Sequence, residues 1–268
     1  MIEFLAAPFV ACMLLVAIHC YLGLHVLMRD VIFVDLSLAQ LAALGVAVGT
    51  LVGAVPHSVP SYGWALAFTV FGALVFSLGR FQHRRVSQEA VIGIVYAVST
   101  ATMFLILSHS AVEREEVEHM MVGRLLFVDW TEIAITAGLY ALIAVVHFAF
   151  RKPFFAITQG AEGMSMSAIR KWDFLFYASF GVVVASSVQI AGVLLVFSLL
   201  IVPAACASLF WSDLRGRLIG GWVLGVVAST IGIAVSAVMD FPTGASIIAV
   251  LGATFGLCVL TSSLCRGR

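Results

Sequence analysis

Nine apolar runs follow one another along the chain, near residues 4–28, 31–54, 63–80, 89–108, 131–150, 173–189, 190–211, 218–239 and 244–264. A helix crosses the hydrocarbon core of a bilayer with about 20 apolar residues. With runs of that length, the backbone can satisfy its hydrogen bonds in lipid only as helices. The roughly ten-residue alternating strands of a membrane barrel are absent from the pattern. Charged residues make up only 10% of the 268, against about a quarter in a soluble domain. The mean hydropathy of +1.13 agrees. The expected fold is an all-α integral membrane protein, a bundle of eight to nine transmembrane helices forming one polytopic domain over residues 1–268. The count is open because 173–189 and 190–211 abut; with eight crossings, one segment is re-entrant or broken, which needs shelter from protein or a cavity.

Charge placement orients the bundle. With the N-terminus outside and the C-terminus inside, 12 of the 14 Lys and Arg fall in inner loops. They are Arg29, Arg80, Arg84, Arg85, Arg151, Lys152, Arg170, Lys171, Arg215, Arg217, Arg266 and Arg268. Only Arg114 and Arg124 fall outside, beside Glu113, Glu115, Glu116 and Glu118. This is the positive-inside pattern for nine crossings. The first run has no basic residues before it and no small-residue cleavage site after it, so it is expected to be a retained helix.

Val31 to Gly53, VIFVDLSLAQLAALGVAVGTLVG, is the segment with the most to explain. It carries one carboxylate, Asp35, and one amide, Gln40, in an apolar run. An ionisable group in a membrane segment is costly and marks function by default. The opposing reading puts Asp35, six residues past Arg29, at headgroup depth. Gly45 and Gly49 form a small-xxx-small pattern that lets helix backbones approach, so this segment is expected to be centrally packed. His19 lies deep in the preceding run. Consecutive helices joined by a tight turn can bring His19 and Asp35 together as an oxygen–nitrogen site for zinc, manganese or iron. A histidine hydrogen-bonded between helices is the plainer alternative.

Other chemistry is not supported. A net charge of zero gives no reason to expect nucleic acid, and no GxxxxGK[ST] loop is present to bind nucleotide. HExxH and CxxC are absent as well, so the five cysteines read as apolar filler and no enzyme activity is expected. The inner loop 151–172, RKPFFAITQGAEGMSMSAIRKW, is expected to hold a short helix from Ala161 to Lys171. That helix is either a docking surface for a cytoplasmic partner or an ordinary connection.

Three stretches resemble one family, the membrane permeases of bacterial ABC importers for zinc, manganese and iron (the ABC-3 family). DLSLAQLAALGVAVG at Asp35–Gly49 is similar to the family's Gly-Asp-Ala-Leu run ending in Gly-Val-Ala-Leu-Gly. AVIGIVYAVS at Ala90–Ser99 is similar to its segment around an Ile-Gly pair. QIAGVLLVFSLLIVPAACASL at Gln189–Leu209, with DFPTGASII at Asp240–Ile248, is similar to its Val-Gly-x-Leu-Leu-Val run, Pro-Ala-Ala-x-Ala and later Pro-Thr-Gly. In order, they extend the likeness over nearly the whole chain.

The resemblance implies a permease of the bacterial inner membrane that pairs with a second copy of itself, the substrate passing between the copies. It also implies a separate cytoplasmic ATPase dimer, which would hold the ATP, and an extracytoplasmic substrate-binding protein. No resident cofactor is implied; the divalent metal is cargo. Ala161, Glu162 and Gly163 stand where the family has the acidic-Ala-x-x-x-Gly stretch that couples to the ATPase. The family's metal contacts are an Asp and a His four residues later on one helix. Anchored on Gly45 and Gly49, this chain has Leu36 in the Asp place and Gln40 in the His place, with Asp35 one position earlier. Five residues turn a helix by about 500°, so Asp35 and Gln40 point about 140° apart. The family's metal site therefore does not carry over residue by residue: either the contacts have moved, with Asp35, Gln40 and His19 as the candidates and His119 at the outer mouth as a further one, or the substrate is not a bare divalent ion. A metal complex, a non-metal solute carried by the same architecture, and a proton-coupled secondary transporter are the competing readings.

Overall fold

The computed structural model describes residues 2–55, 58–79, 86–108 and 123–266. Among them the regular structure is helical throughout: α1 (Ile2–Met28), α2 (Val34–Leu51), α3 (Val59–Leu78), α4 (Gln88–Leu107), a 3-10 turn at Leu125–Phe127, α5 (Trp130–Ala149), α6 (Arg151–Thr158), α7 (Met166–Phe210), α8 (Leu214–Met239) and α9 (Thr243–Arg266). Eight of these, all but the short α6, are long and apolar enough to cross a membrane. The acidic stretch 113–118, His119 and the basic residues 80–85 lie outside the described residues.

The helix ends follow from local chemistry. Ser58 caps α3, its Oγ accepting from the Ser61 N–H at 3.4 Å. Ser87 caps α4, accepting from the Ala90 N–H at 3.1 Å. Asp213 caps α8 through the Gly216 N–H at 2.8 Å. Each cap satisfies an amide that the helix itself cannot.

α7 settles why residues 173–211 read ambiguously. A straight helix of its 45 residues would be about 68 Å long, more than twice the ~30 Å hydrocarbon core. It is not straight: Gly192 (φ 76, ψ 159) breaks it, leaving runs 166–191 and 193–210, each of a length that spans. The signal was present as the glycine in QIAGVLL.

The helices gather into two compact units, 28–120 with 143–188 and, separately, 1–27 with 121–142 and 189–268. In the first of these α2 is central, packing on α3 and α4 with 13 of its residues buried. A Cβ on Gly45 would stand 2.5 Å from the Trp64 carbonyl oxygen and 2.9 Å from Ala65 Cα. One on Gly49 would stand 2.9 Å from the Trp64 ring. The small-xxx-small pattern is the seam where α2 and α3 backbones meet. Phe76, Phe154, Phe176, Tyr177 and Phe180, all fully buried, build an aromatic cluster at the other end of this unit.

In the second unit the seam runs along α8. Gly221 faces Cys20 and Pro203, Gly225 faces Val16 and Pro203, and Gly232 faces the Ile247 backbone. Trp222 Nε1 donates to the Ala17 carbonyl at 3.0 Å. The chain after the outer loop seals the α7 break: the Arg124 N–H donates to the Ile190 carbonyl at 3.0 Å. A Cβ on Gly123 would fall on the backbone of Ala191 and Gly192.

Residues 151–172 differ in part from expectation. A short helix, α6, ends ahead of Ala161 and 159–165 form a turn, while 166–171, the latter part of the expected helix, are helical as the start of α7. Gly160 (φ 117), Ala161 (φ 59) and Gly163 (φ 74) sit in the left-handed region, which ends a helix instead of propagating one. The turn is not loose. Ile157, Ala161 and Ile169 make a small core with Met164 and Trp172 packed on it.

Candidate functional site

α2 begins after Phe33, which offers no side-chain cap, and Asp35 lies in its first turn. Asp35 is 1% exposed, and its Oδ1 has no hydrogen-bond partner. Glu89 lies in the first turn of α4. Its Oε1 accepts the Phe33 N–H at 3.1 Å, two residues before Asp35, while its Oε2 is buried without a partner. The Arg29 guanidinium, six residues before Asp35, pairs with Asp173. A bare, buried carboxylate oxygen lacks the hydration it would have in water, a cost that a cation would remove.

Gln40 is also buried, and its Oε1 also lacks a partner. The helix is regular between positions 35 and 40, so the two side chains leave α2 in directions about 140° apart. Ser37 Oγ is a third bare, buried oxygen on α2. These three donors on α2 are all oxygen.

His19 belongs to the other unit. It is fully buried, with Nδ1 2.9 Å from the Leu15 carbonyl and its ring edge-on to Tyr140 at 6.5 Å. A carbonyl partner makes Nδ1 the donor, so Nε2, which has no partner, carries the lone pair a metal would use. Among the described residues no group of three or more His, Cys, Asp or Glu is disposed to hold a metal ion.

Sequence reasoning missed Glu89, which opens an apolar run. The signal was SQE at 87–89, a cap followed by an acid at a helix start. It also missed the Arg29–Asp173 pair, whose partners lie 144 positions apart. Of the residues expected to couple to the ATPase, Ala161 is nearly buried in the turn, while Glu162 and Gly163 are exposed.

A family model described as the ABC 3 transport family matches residues 1–262. The chain is similar to the manganese transport system membrane protein MntC of Halalkalibacterium halodurans, at 24% identity over 250 residues, 91% of this chain and 82% of that protein. It is similar to a protein of Thermotoga maritima named "Probable metal transport system membrane protein", at 26% identity over 258 residues, 94% of this chain and 88% of the other. In three dimensions it resembles PsaBC from Streptococcus pneumoniae, solved with a Fab, with a TM-score of 0.77 at 20% identity over 95% of this chain and 90% of that one.

Proposed function

The chain belongs to the ABC 3 transport family, and from that premise we propose that it is the permease subunit of an ATP-driven importer for a divalent metal ion. Two copies would form the pathway, with a cytoplasmic ATPase dimer on one side and an extracytoplasmic binding protein on the other. The termini would lie as charge placement has them, N-terminus outside and C-terminus inside. The segment with Ala161, Glu162 and Gly163 would meet the ATPase, and ATP hydrolysis would be the partner's work.

The observation that carries this reading is the pair of bare carboxylate oxygens on Asp35 and Glu89 at the starts of α2 and α4. Carboxylate, amide and hydroxyl oxygens suit manganese better than the softer zinc, while an imidazole nitrogen suits zinc and iron. The carboxylates of Asp35 and Glu89 therefore favour manganese, and the names of several relatives agree. His19 would move the preference toward zinc or iron if it joined the pathway. A cation held by few, weak contacts can leave inward when the ATPase drives the helices apart.

The experiment is radioactive manganese uptake into vesicles carrying the permease with its ATPase and binding protein. Asp35→Asn keeps the shape and removes the charge. It should lower uptake by about tenfold or more, the worth of one charge-assisted contact, at normal protein level. Uptake at the wild-type rate would remove Asp35 from the pathway. The rival, a proton-coupled transporter, predicts uptake that persists without ATP while the proton gradient is kept; uptake abolished by ATP removal excludes it.

A further inference from the structure

Arg29 follows directly on α1 and is almost wholly buried, its side chain 4% exposed and that of Asp173 0%. One guanidinium makes three contacts with two pieces of chain. Nη1 meets Asp173 Oδ1 on α7 at 3.0 Å. Nε donates to Thr158 Oγ1 on α6 at 2.9 Å. Nη2 donates to the Phe154 carbonyl, also on α6, at 3.3 Å. The Phe176 ring lies flat beneath it, 3.9 Å from centroid to Cζ.

A buried ion pair is weak evidence for stability, since apolar residues of the same volume often serve as well or better. Its value lies in register. The rigid fork of arginine fixes several partners in direction, which a lysine ammonium does not. Here the partners are the last turn of α6 and the first turns of α7, the walls of the inner turn with its own core of Ile157, Ala161 and Ile169. On the other side of Arg29 the chain runs through Asp30 (φ 54) and the buried Val31 to Phe33, whose N–H holds Glu89. The α1–α2 turn is thus tied at one end to the inner segment and at the other to the carboxylate pair. Only residues 30–32 separate the two ties.

We propose that Arg29 is a positioning residue of the transport cycle, fastening the inner segment 151–165 to the α1–α2 turn so that movement of one shifts Glu89 and Asp35 at the other. Thr158 and Asp173 complete the fastening. The proposal rests on the reading that the inner segment meets the ATPase. It assigns to Arg29 no contact with cargo and no part in ATP hydrolysis.

The test uses the permease with its ATPase and binding protein in vesicles, measuring manganese uptake and ATP hydrolysis in the same preparation. Arg29→Lys keeps the charge against Asp173 and loses the simultaneous hold on Thr158 and the Phe154 carbonyl. Uptake per ATP hydrolysed should fall about tenfold, the scale of a coupling between sites, while the ATPase still co-purifies. Thr158→Val, which keeps the ion pair and nearly the same shape, carries the question if the lysine variant folds poorly; it should lower the same ratio by about threefold, one shared hydrogen bond's worth. A wild-type ratio in a folded Arg29→Lys or Thr158→Val protein overturns the proposal. The docking reading is tested apart from it. Glu162→Lys should release the ATPase in pull-down, and full retention would refute that reading alone.

Discussion

The approach of α2 and α3 at Gly45 yields the sharpest quantitative prediction. An added Cβ would stand 2.5 Å from the Trp64 carbonyl oxygen and 2.9 Å from both Ala65 Cα and the Trp64 carbonyl carbon. All three are backbone atoms, so no side-chain rotation relieves the contact. α3 must retreat by about 1 Å to restore ordinary separations in an interior packed this densely. Overpacking of this kind costs about 1–3 kcal/mol. Gly→Ala also gains about 1 kcal/mol of helix propensity, which would mask part of the loss. Gly138, inside α5, has nothing within 4 Å of where its Cβ would be, so Gly138→Ala carries the propensity gain without the clash. The difference between the two variants isolates the packing cost. Thermal unfolding of both in the same detergent should place Gly45→Ala lower by roughly 2–12 °C, at about 2–4 °C per kcal/mol for a chain of this size. Equal melting temperatures would refute the inference that the α2 and α3 backbones are in contact.

Two further outcomes are expected. Gly192→Ala puts a side chain on a backbone at φ 76, ψ 159, a region open almost only to glycine and costing about 1–3 kcal/mol otherwise; expression and melting temperature should fall, and an unchanged protein would mean that the α7 break relaxes freely. Glu89→Gln leaves an acceptor for the Phe33 N–H but removes the second charge, so half-saturation for manganese uptake should rise about tenfold or more with melting temperature unchanged; an unmoved half-saturation would exclude Glu89 from the cargo's path.

How much of this was readable in the residues depended on range. Spans and class followed from apolar length alone, because lipid leaves the backbone one solution. Gly45 and Gly49 announced a helix seam, since small residues are the means by which membrane helices approach. The loop 151–172 misled over 161–165: AEGMSMSAIRK has helical composition, and Met166–Lys171 do open a helix, yet Gly160 and Gly163 bracket a turn whose hydrophobic residues serve a local core. Asp35 stood out as a charge in an apolar run, whereas Glu89, at the edge of one, resembled an ordinary helix-start acid. The Arg29 node could not be read at all. It joins positions 29, 158 and 173, and no local pattern encodes that meeting. The expected union of His19 with Asp35 rested on chain neighbours facing each other; it joins residues of two units and stands as an expectation.

The central claim, that this permease brings a divalent metal into the cell, is tested most directly by elemental analysis. Cells with and without an intact copy, grown with metals limiting, would be measured by mass spectrometry for manganese, iron and zinc. The account predicts a selective fall in manganese without the intact copy, restored by the wild-type chain and not by Asp35→Asn. A fall in zinc or iron alone would point to His19 over the oxygen donors, and no change in any metal would contradict the claim.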